Sequence, residues 1–158
     1  MLKEVLVLGI GGDGVQLLSN FLSDSLSECG YAVSNFYIYG SQVRGGESTV
    51  VVKFSDNEII NPIYSSPDYV VVLNDSYYDK YKDEILKDTK IIKLTEAVKN
   101  KNIILLSKLV KEIIDDNGIK NNLNEKIFLY IERKFKDKAE NIKQIYMKEQ
   151  VWWILIVY

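Results

Sequence analysis

Apolar and polar positions alternate in blocks along this chain, and the block lengths predict strands alternating with helices. Short, largely apolar runs rich in β-branched residues are typical of strands inside a sheet. Such runs lie at residues 2–8, 48–54, 69–73 and 90–94. A further strand is expected within residues 31–39, and a short one at 58–63 that pairs back on its predecessor as a hairpin.

Helical spacing of apolar residues connects these runs. Residues 15–29 carry such a stripe, and Gly30 stands where a C-terminal cap glycine is expected. Asn74 or Asp75 is a good N-cap for a helix over 76–86. Amphipathic residues 102–114 and the highly charged residues 122–149 predict two more helices. Alternating strands and helices indicate one α/β domain, a three-layer Rossmann-like fold with a mostly parallel, mixed sheet.

Composition narrows the classes of function. The chain has 158 residues, 47% of them hydrophobic and 27% charged, which fits one globular domain spanning 1–158. A net charge of −2 argues against a nucleic-acid partner. No apolar stretch is long enough to span a bilayer, and the first residues already form a strand without a signal-peptide layout. We therefore expect a cytoplasmic protein with no membrane partner.

Cysteine and histidine content limits the chemistry. The sequence has one cysteine, Cys29, and no histidine, so we expect no zinc or iron–sulfur centre within the chain. Any general base would be a carboxylate, a lysine or a tyrosine. At the other end, residues 151–158 are all apolar or aromatic, and we expect this tail to be buried or to contact another subunit.

The glycine cluster GIGGDG at residues 9–14 lies between the first strand and the first helix. Gly9, Gly11 and Gly14 fit G-x-G-x-x-G in the context where backbone N–H groups at a helix N-terminus bind phosphate. A nicotinamide site would also need a carboxylate at the end of the second strand, and none stands there. Alternatively, the glycines only let the helix pack closely on the strand.

A second cluster, YGSQVRGG at residues 39–46, falls between the second and third strands. If it lies at the carboxyl ends of the strands, Arg44 could bind a phosphate or carboxylate beside the glycine turn. The alternative for Arg44 is a surface arginine in a flexible loop. The candidate binding residues are Gly9, Gly11, Gly12, Asp13, Gly14, Tyr39, Gly40, Arg44, Gly45 and Gly46. We identify no catalytic and no metal-binding residue.

The two clusters together resemble the gamma subunit of 2-oxoacid:ferredoxin oxidoreductases, enzymes acting on pyruvate, 2-oxoglutarate, branched-chain 2-oxoacids and indolepyruvate. That family's pattern is G-x-G-G-Q-G-V followed about twenty-five residues later by S-Y-G-P-E-x-R-G-G. Residues 67–73 (PDYVVVL) are similar to the family's P-D-x-L-V-x-L segment. Residues 1–95 match best, and 96–158 form a looser helical part. Asp13 stands where the family usually has glutamine.

The resemblance implies a non-catalytic subunit that supports oxidative decarboxylation of a 2-oxoacid to acyl-coenzyme A. It implies alpha, beta and ferredoxin-like delta subunits as partners, with thiamine pyrophosphate and iron–sulfur clusters on them. The resemblance also implies ferredoxin as the electron acceptor and contact with coenzyme A at the surface of this chain. Two alternatives stay open, an independent nucleotide-binding module and a stand-alone interaction or regulatory protein that kept the fold without the enzyme.

Overall fold

The computed structural model describes residues 1–39, 45–60, 66–85, 87–95 and 113. The chain divides into two compact units, Met1–Asn102 and Ile103–Tyr158. In the second unit the described residue is Ile113, which is helical and buried. The predicted helices at 102–114 and 122–149 and the apolar tail at 151–158 otherwise lie outside the described residues.

Where the structure describes it, the first unit follows the predicted order of strands and helices, except at residues 58–60. Its elements are β1 (Leu2–Ile10), α1 (Val15–Glu28), β2 (Ala32–Tyr39), β3 (Glu47–Ser55), β4 (Tyr69–Val72), α2 (Asp75–Tyr81), a 3-10 turn (Lys82–Glu84) and β5 (Lys90–Lys93). No helix in this described part is long and apolar enough to cross a membrane.

Five strands form one sheet in the order β2-β3-β1-β4-β5. Strands β4 and β5 continue parallel to β1, whereas β3 runs antiparallel to both β1 and β2. The predicted mixed α/β sheet is therefore confirmed.

The antiparallel strand is not the one that the sequence suggested. Residues 58–60 form no strand, and the rest of the expected hairpin strand lies outside the described residues. The reason is topological, because β1 and β2 already pair with both edges of β3 and leave no edge free for a returning strand.

The two helices lie on opposite faces of the sheet. On one face, Tyr77 of α2 packs in a cluster with alternate residues of the central strands. On the other face, α1 approaches the end of β1 so closely that a side chain on Gly9 would meet Val15. Side chains alternate across a strand, so Leu6 and Leu8 face α2 while Gly9 faces α1. The α2-side cluster comprises Leu6, Leu8, Val51, Val70, Val72 and Tyr77.

The helix ends follow the expected local chemistry. Gly30 has φ 91° and donates its N–H to Ser27 O at 2.9 Å, while Tyr31 N–H reaches Leu26 O at 3.2 Å. This pattern is the Schellman motif that a glycine after a helix permits, so the predicted cap is confirmed. Asn74 caps α2 by accepting a hydrogen bond from Tyr77 N–H at 3.1 Å. The helix ends earlier than predicted, at Tyr81, and continues as the 3-10 turn.

Candidate functional site

The two glycine clusters meet at one edge of the sheet. Because β3 is antiparallel to β1, the end of β1 lies beside the beginning of β3, where Ile10 pairs with Glu47. Gly11 N–H donates a hydrogen bond to Gly46 O at 2.9 Å. We call residues 9–14 together with Gly45 and Gly46 the glycine rim. The edge of the sheet thus brings together segments more than thirty residues apart in sequence.

Tight packing explains two glycines of the rim. A Cβ atom on Gly9 would lie 2.5 Å from Val15 Cγ2 and 3.3 Å from Leu73 Cβ. On Gly11 it would lie 3.3 Å from Gly45 N. Gly9 therefore lets α1 pack on the sheet, as the packing alternative supposed, and Gly11 lets the two segments approach each other.

Gly12 and Gly14 have a different role, because their backbone is in the left-handed region. Their φ angles are 105° and 85°, and a Cβ on either would meet no atom within 4 Å. Gly14 is the N-cap of α1 and supplies no side-chain cap to the first helical turn. Within the described part of the chain, no acceptor takes the N–H of Gly12 or Gly14. Such amides at a helix N-terminus can bind an anion.

Asp13 closes the turn from within. Its N–H donates to Ile10 O at 3.0 Å, and its Oδ2 accepts from Ile10 N–H at 3.1 Å. The amides of Gly11 and Asp13 are thus engaged inside the protein. Of the glycines in the turn, Gly12 and Gly14 have N–H groups without an acceptor among the described residues. The sequence suggested that Gly11 would offer its N–H group as well.

Tyr39 joins the rim from the neighbouring strand. It is the last residue of β2 and pairs with Ser48, which in turn pairs with Gly9. Gly40 and Arg44 lie outside the described residues. Of the second cluster, the structure describes Tyr39, Gly45 and Gly46, and Gly45 directly follows Arg44 in the sequence.

Sequence reasoning missed a side-chain cluster beside the rim. Glu47 Oε1 lies 2.5 Å from Lys80 Nζ, and Tyr81 OH donates to Glu47 Oε2 at 3.2 Å. These contacts connect the first residue of β3 to α2 across more than thirty residues of chain. A glutamate directly after a glycine pair at a strand start was the available signal, but its partners could not be read from the sequence.

The contacts of Glu47 and Lys80 shift the pKa values of both side chains. The hydrogen bond from Lys80 is the main cause that lowers the pKa of the Glu47 carboxyl, and the same bond raises the pKa of Lys80. Behind them, burial raises the pKa of Tyr77, whose hydroxyl lies 2.6 Å from Thr49 Oγ1. At neutral pH the cluster therefore holds one ammonium and one carboxylate at the rim.

The side chains present do not fit an iron–sulfur or zinc centre. Among the described residues, no three His, Cys, Asp or Glu side chains are grouped to hold a metal ion. The sequence supplies only Cys29, which is partly buried, and no histidine. Cysteine-rich ligation of a cluster is beyond this sequence.

Comparison with known proteins begins with a family model. Residues 4–134 match the model described as pyruvate ferredoxin/flavodoxin oxidoreductase. The chain is similar to 2-oxoglutarate synthase subunit KorC of Methanocaldococcus jannaschii, with 39% identity over 87 residues, 54% of this chain and 46% of that protein. The chain spans about half the length of the curated relatives it matches.

Solved structures share the fold. The gamma subunit of a keto/oxoacid ferredoxin oxidoreductase from Geobacter sulfurreducens superposes with a TM-score of 0.64 at 17% identity, over 90% of this chain and 92% of that chain. A 2-oxoglutarate:ferredoxin oxidoreductase from Magnetococcus marinus, with 2-oxoglutarate, coenzyme A and succinyl-CoA bound, superposes with a TM-score of 0.57 at 15% identity. That match covers 91% of this chain and 31% of the longer one.

Proposed function

The chain belongs to the pyruvate ferredoxin/flavodoxin oxidoreductase family, and we propose that it is the non-catalytic gamma subunit of a 2-oxoacid:ferredoxin oxidoreductase. In this role it supports oxidative decarboxylation of a 2-oxoacid, with transfer of the acyl group to coenzyme A and of electrons to ferredoxin. Similarity to the KorC subunit and to the gamma-subunit fold supports the assignment.

One observation carries the proposal. The two glycine clusters that resemble the family's motifs contact each other at one edge of the sheet, through the hydrogen bond from Gly11 N–H to Gly46 O. That contact brings the amides of the glycine turn and the segment that follows Arg44 to a single edge. Coenzyme A is the anion we propose for it, with Arg44 as the cation and Gly12 and Gly14 as amide donors.

The chemistry of the reaction belongs to other chains in this proposal. We propose that alpha, beta and ferredoxin-like delta subunits carry thiamine pyrophosphate and the iron–sulfur clusters. For the clusters, this sequence lacks the cysteines that ligation requires. The candidate residues Gly45, Gly46 and Tyr39 then line the face that meets coenzyme A or a neighbouring subunit. We propose that the assembly is cytoplasmic.

The test uses the complex reconstituted from the tagged chain and its partners. The Arg44→Ala variant should raise the apparent KM for coenzyme A about tenfold, the cost of one charge-assisted hydrogen bond pair, and leave kcat within about twofold. Lys82→Ala is the matched control, since Lys82 pairs with Asp79 on α2 at 3.3 Å. An unchanged KM contradicts the coenzyme A role. A chain that purifies alone, without brown iron-containing partners, contradicts the subunit assignment.

A further inference from the structure

Glu47 lies directly beside the glycine rim. It is the first residue of β3, directly follows Gly46, and pairs with Ile10 at the end of β1. Its carboxylate accepts from both Lys80 and Tyr81 of α2. We propose that Glu47 is a positioning residue that ties the start of β3 to α2 and so holds Gly46 against the glycine turn. The inference rests on the proposed function of the rim.

Helix α2, which Glu47 contacts, is fixed on the sheet by several interactions. Asn74 caps α2, and Tyr77 on its buried side bonds to Thr49 of β3 at 2.6 Å. Tyr81 packs edge-on against Tyr77, with ring centroids 5.0 Å apart. A hydrogen bond from Glu47 to Tyr81 is therefore a bond to an element already fixed on the sheet, which is what a supporting contact for a site needs.

The segment next to Glu47 consists of two glycines, Gly45 and Gly46. Gly45 has φ 68°, and a Cβ there would meet no atom within 4 Å. Glycine samples many backbone conformations, so two in succession order a loop poorly. Within the described residues, one backbone hydrogen bond, from Gly11 to Gly46, joins the two clusters beyond the strand pairing. A side-chain tie at the next residue limits how far that bond can open.

Charge gives Lys80 a second effect at the same place. The carboxylate of Glu47 lies close to a rim proposed to receive an anion, and Lys80 neutralises it at 2.5 Å. Lys80 also lies 5.2 Å from the centre of the Tyr81 ring, a geometry that favours an ammonium. The pair thus holds the segment without leaving a net negative charge beside the ligand.

Two measurements test the proposal, one on the full chain and one on the reconstituted complex. The first is hydrogen exchange of the Gly11 amide, followed by NMR with ¹⁵N-glycine labelling, which gives nine glycine signals. The second is the apparent KM for coenzyme A, and kcat, in the reconstituted complex. The variants are Glu47→Ala and Glu47→Gln, with Lys82→Ala in the 3-10 turn directly after α2 as the control.

We expect Glu47→Ala to speed Gly11 exchange about tenfold and to raise KM about fivefold, with kcat within about twofold. Glu47→Gln keeps an acceptor for Tyr81 OH and should recover a large part of both effects. Lys82→Ala should change neither. Gly11 exchange in Glu47→Ala equal to that of the control overturns the proposal.

The outcomes also distinguish the positioning role of Glu47 from the coenzyme A role on which it rests. If Arg44→Ala raises KM while Glu47→Ala changes neither readout, the coenzyme A role stands and the positioning role is overturned. If Glu47→Ala speeds Gly11 exchange while neither variant changes KM, Glu47 positions the segment and the coenzyme A role is overturned.

Discussion

The two ends of the central strand β1 are stabilised in different ways. At its C-terminal end, the glycine rim joins two clusters through backbone atoms, and the nearest ion pair, Glu47 with Lys80, is half exposed. At its N-terminal end, which we call the opposite rim, side-chain charges hold the strands together. The opposite rim comprises the Met1 ammonium, Lys3, Glu4, Lys53, Asp56 and Asp68.

Burial makes the difference sharper. Lys53 and Glu4 face each other across β3 and β1 at 2.8 Å, with side chains 3% and 4% exposed. Asp68 accepts from Lys3 Nζ at 2.8 Å and from Glu4 N–H at 2.9 Å. Side chains that satisfy one another in this way stabilise the fold and leave few groups for a ligand. The glycine rim instead leaves the N–H groups of Gly12 and Gly14 without an acceptor among the described residues, so the two ends of one strand differ in the groups they leave open.

The largest effect expected from this comparison is at the opposite rim. Lys53→Met leaves the Glu4 carboxylate buried without its ammonium partner, and we expect a loss of about 3–5 kcal/mol in the free energy of unfolding. Urea unfolding of the full chain measures it. Replacing both partners, as Glu4→Gln with Lys53→Met, should recover part of the loss.

Lys3→Met is the control for the Lys53 variant. The Lys3–Asp68 pair is about one third exposed, so its loss should cost less than about 1 kcal/mol after solvent screening. Equal destabilisation by the two lysine variants would show that burial of the Lys53–Glu4 pair does not matter, and the contrast between the rims would weaken.

A smaller loss is expected at the glycine rim from packing alone. Gly9→Ala brings a methyl group against Val15 Cγ2, and we expect about 1–3 kcal/mol of destabilisation from overpacking. Adding Val15→Ala removes that atom and should restore part of the stability. Thermal unfolding of the single and double variants measures both changes. A Gly9→Ala protein as stable as the parent would contradict the close approach of α1 to the sheet.

The smallest expected effect is the pH dependence of stability. One exposed carboxylate tests it at each end of β1, Glu47 beside the glycine rim and Asp56 at the opposite rim. Lys80 lowers the pKa of Glu47 below its ordinary 4.5, and the N-terminal ammonium lowers that of Asp56 below 3.8. Such a carboxylate stabilises the fold above its ordinary pKa, and the contribution is lost as the pH falls through the lowered value. The stability difference between the parent and Glu47→Gln, or Asp56→Asn, should therefore shrink as the pH falls below the ordinary pKa and through the lowered one.

Urea midpoints between neutral and acidic pH measure this loss for both variants. Glu47→Gln should also speed Gly11 exchange, by less than Glu47→Ala does, whereas Asp56→Asn should leave it unchanged because Asp56 lies at the opposite rim. A difference that stays constant with pH would contradict the pairing of the carboxylate concerned.

Local signals in the sequence predicted much of this fold. The apolar runs located β1, β3, β4 and β5, and the cap residues Gly30 and Asn74 marked helix ends correctly. Each of these features depends on a few neighbouring residues. The direction of β3 does not, because an apolar run pairs equally well in either direction until the whole sheet decides its neighbours.

The candidate site shows the same limit. The glycine turn could be found from spacing, but the contacts of Glu47 join residues 33 and 34 positions apart and depend on where α2 packs. Lys53 is a similar case, since a lysine in an apolar strand gives no sign of Glu4 as its cross-strand partner. Long-range side-chain pairs come from tertiary structure, and sequence patterns do not specify them.

The pair of hydrogen bonds between Asp13 and Ile10 has a consequence for how a ligand would bind. The turn is closed by its own residues, so its conformational entropy is lost during folding and not again at association. An incoming phosphate would then meet amides already oriented. Its binding would be limited by desolvation and by the nearby Asp13 charge, rather than by the ordering of the loop.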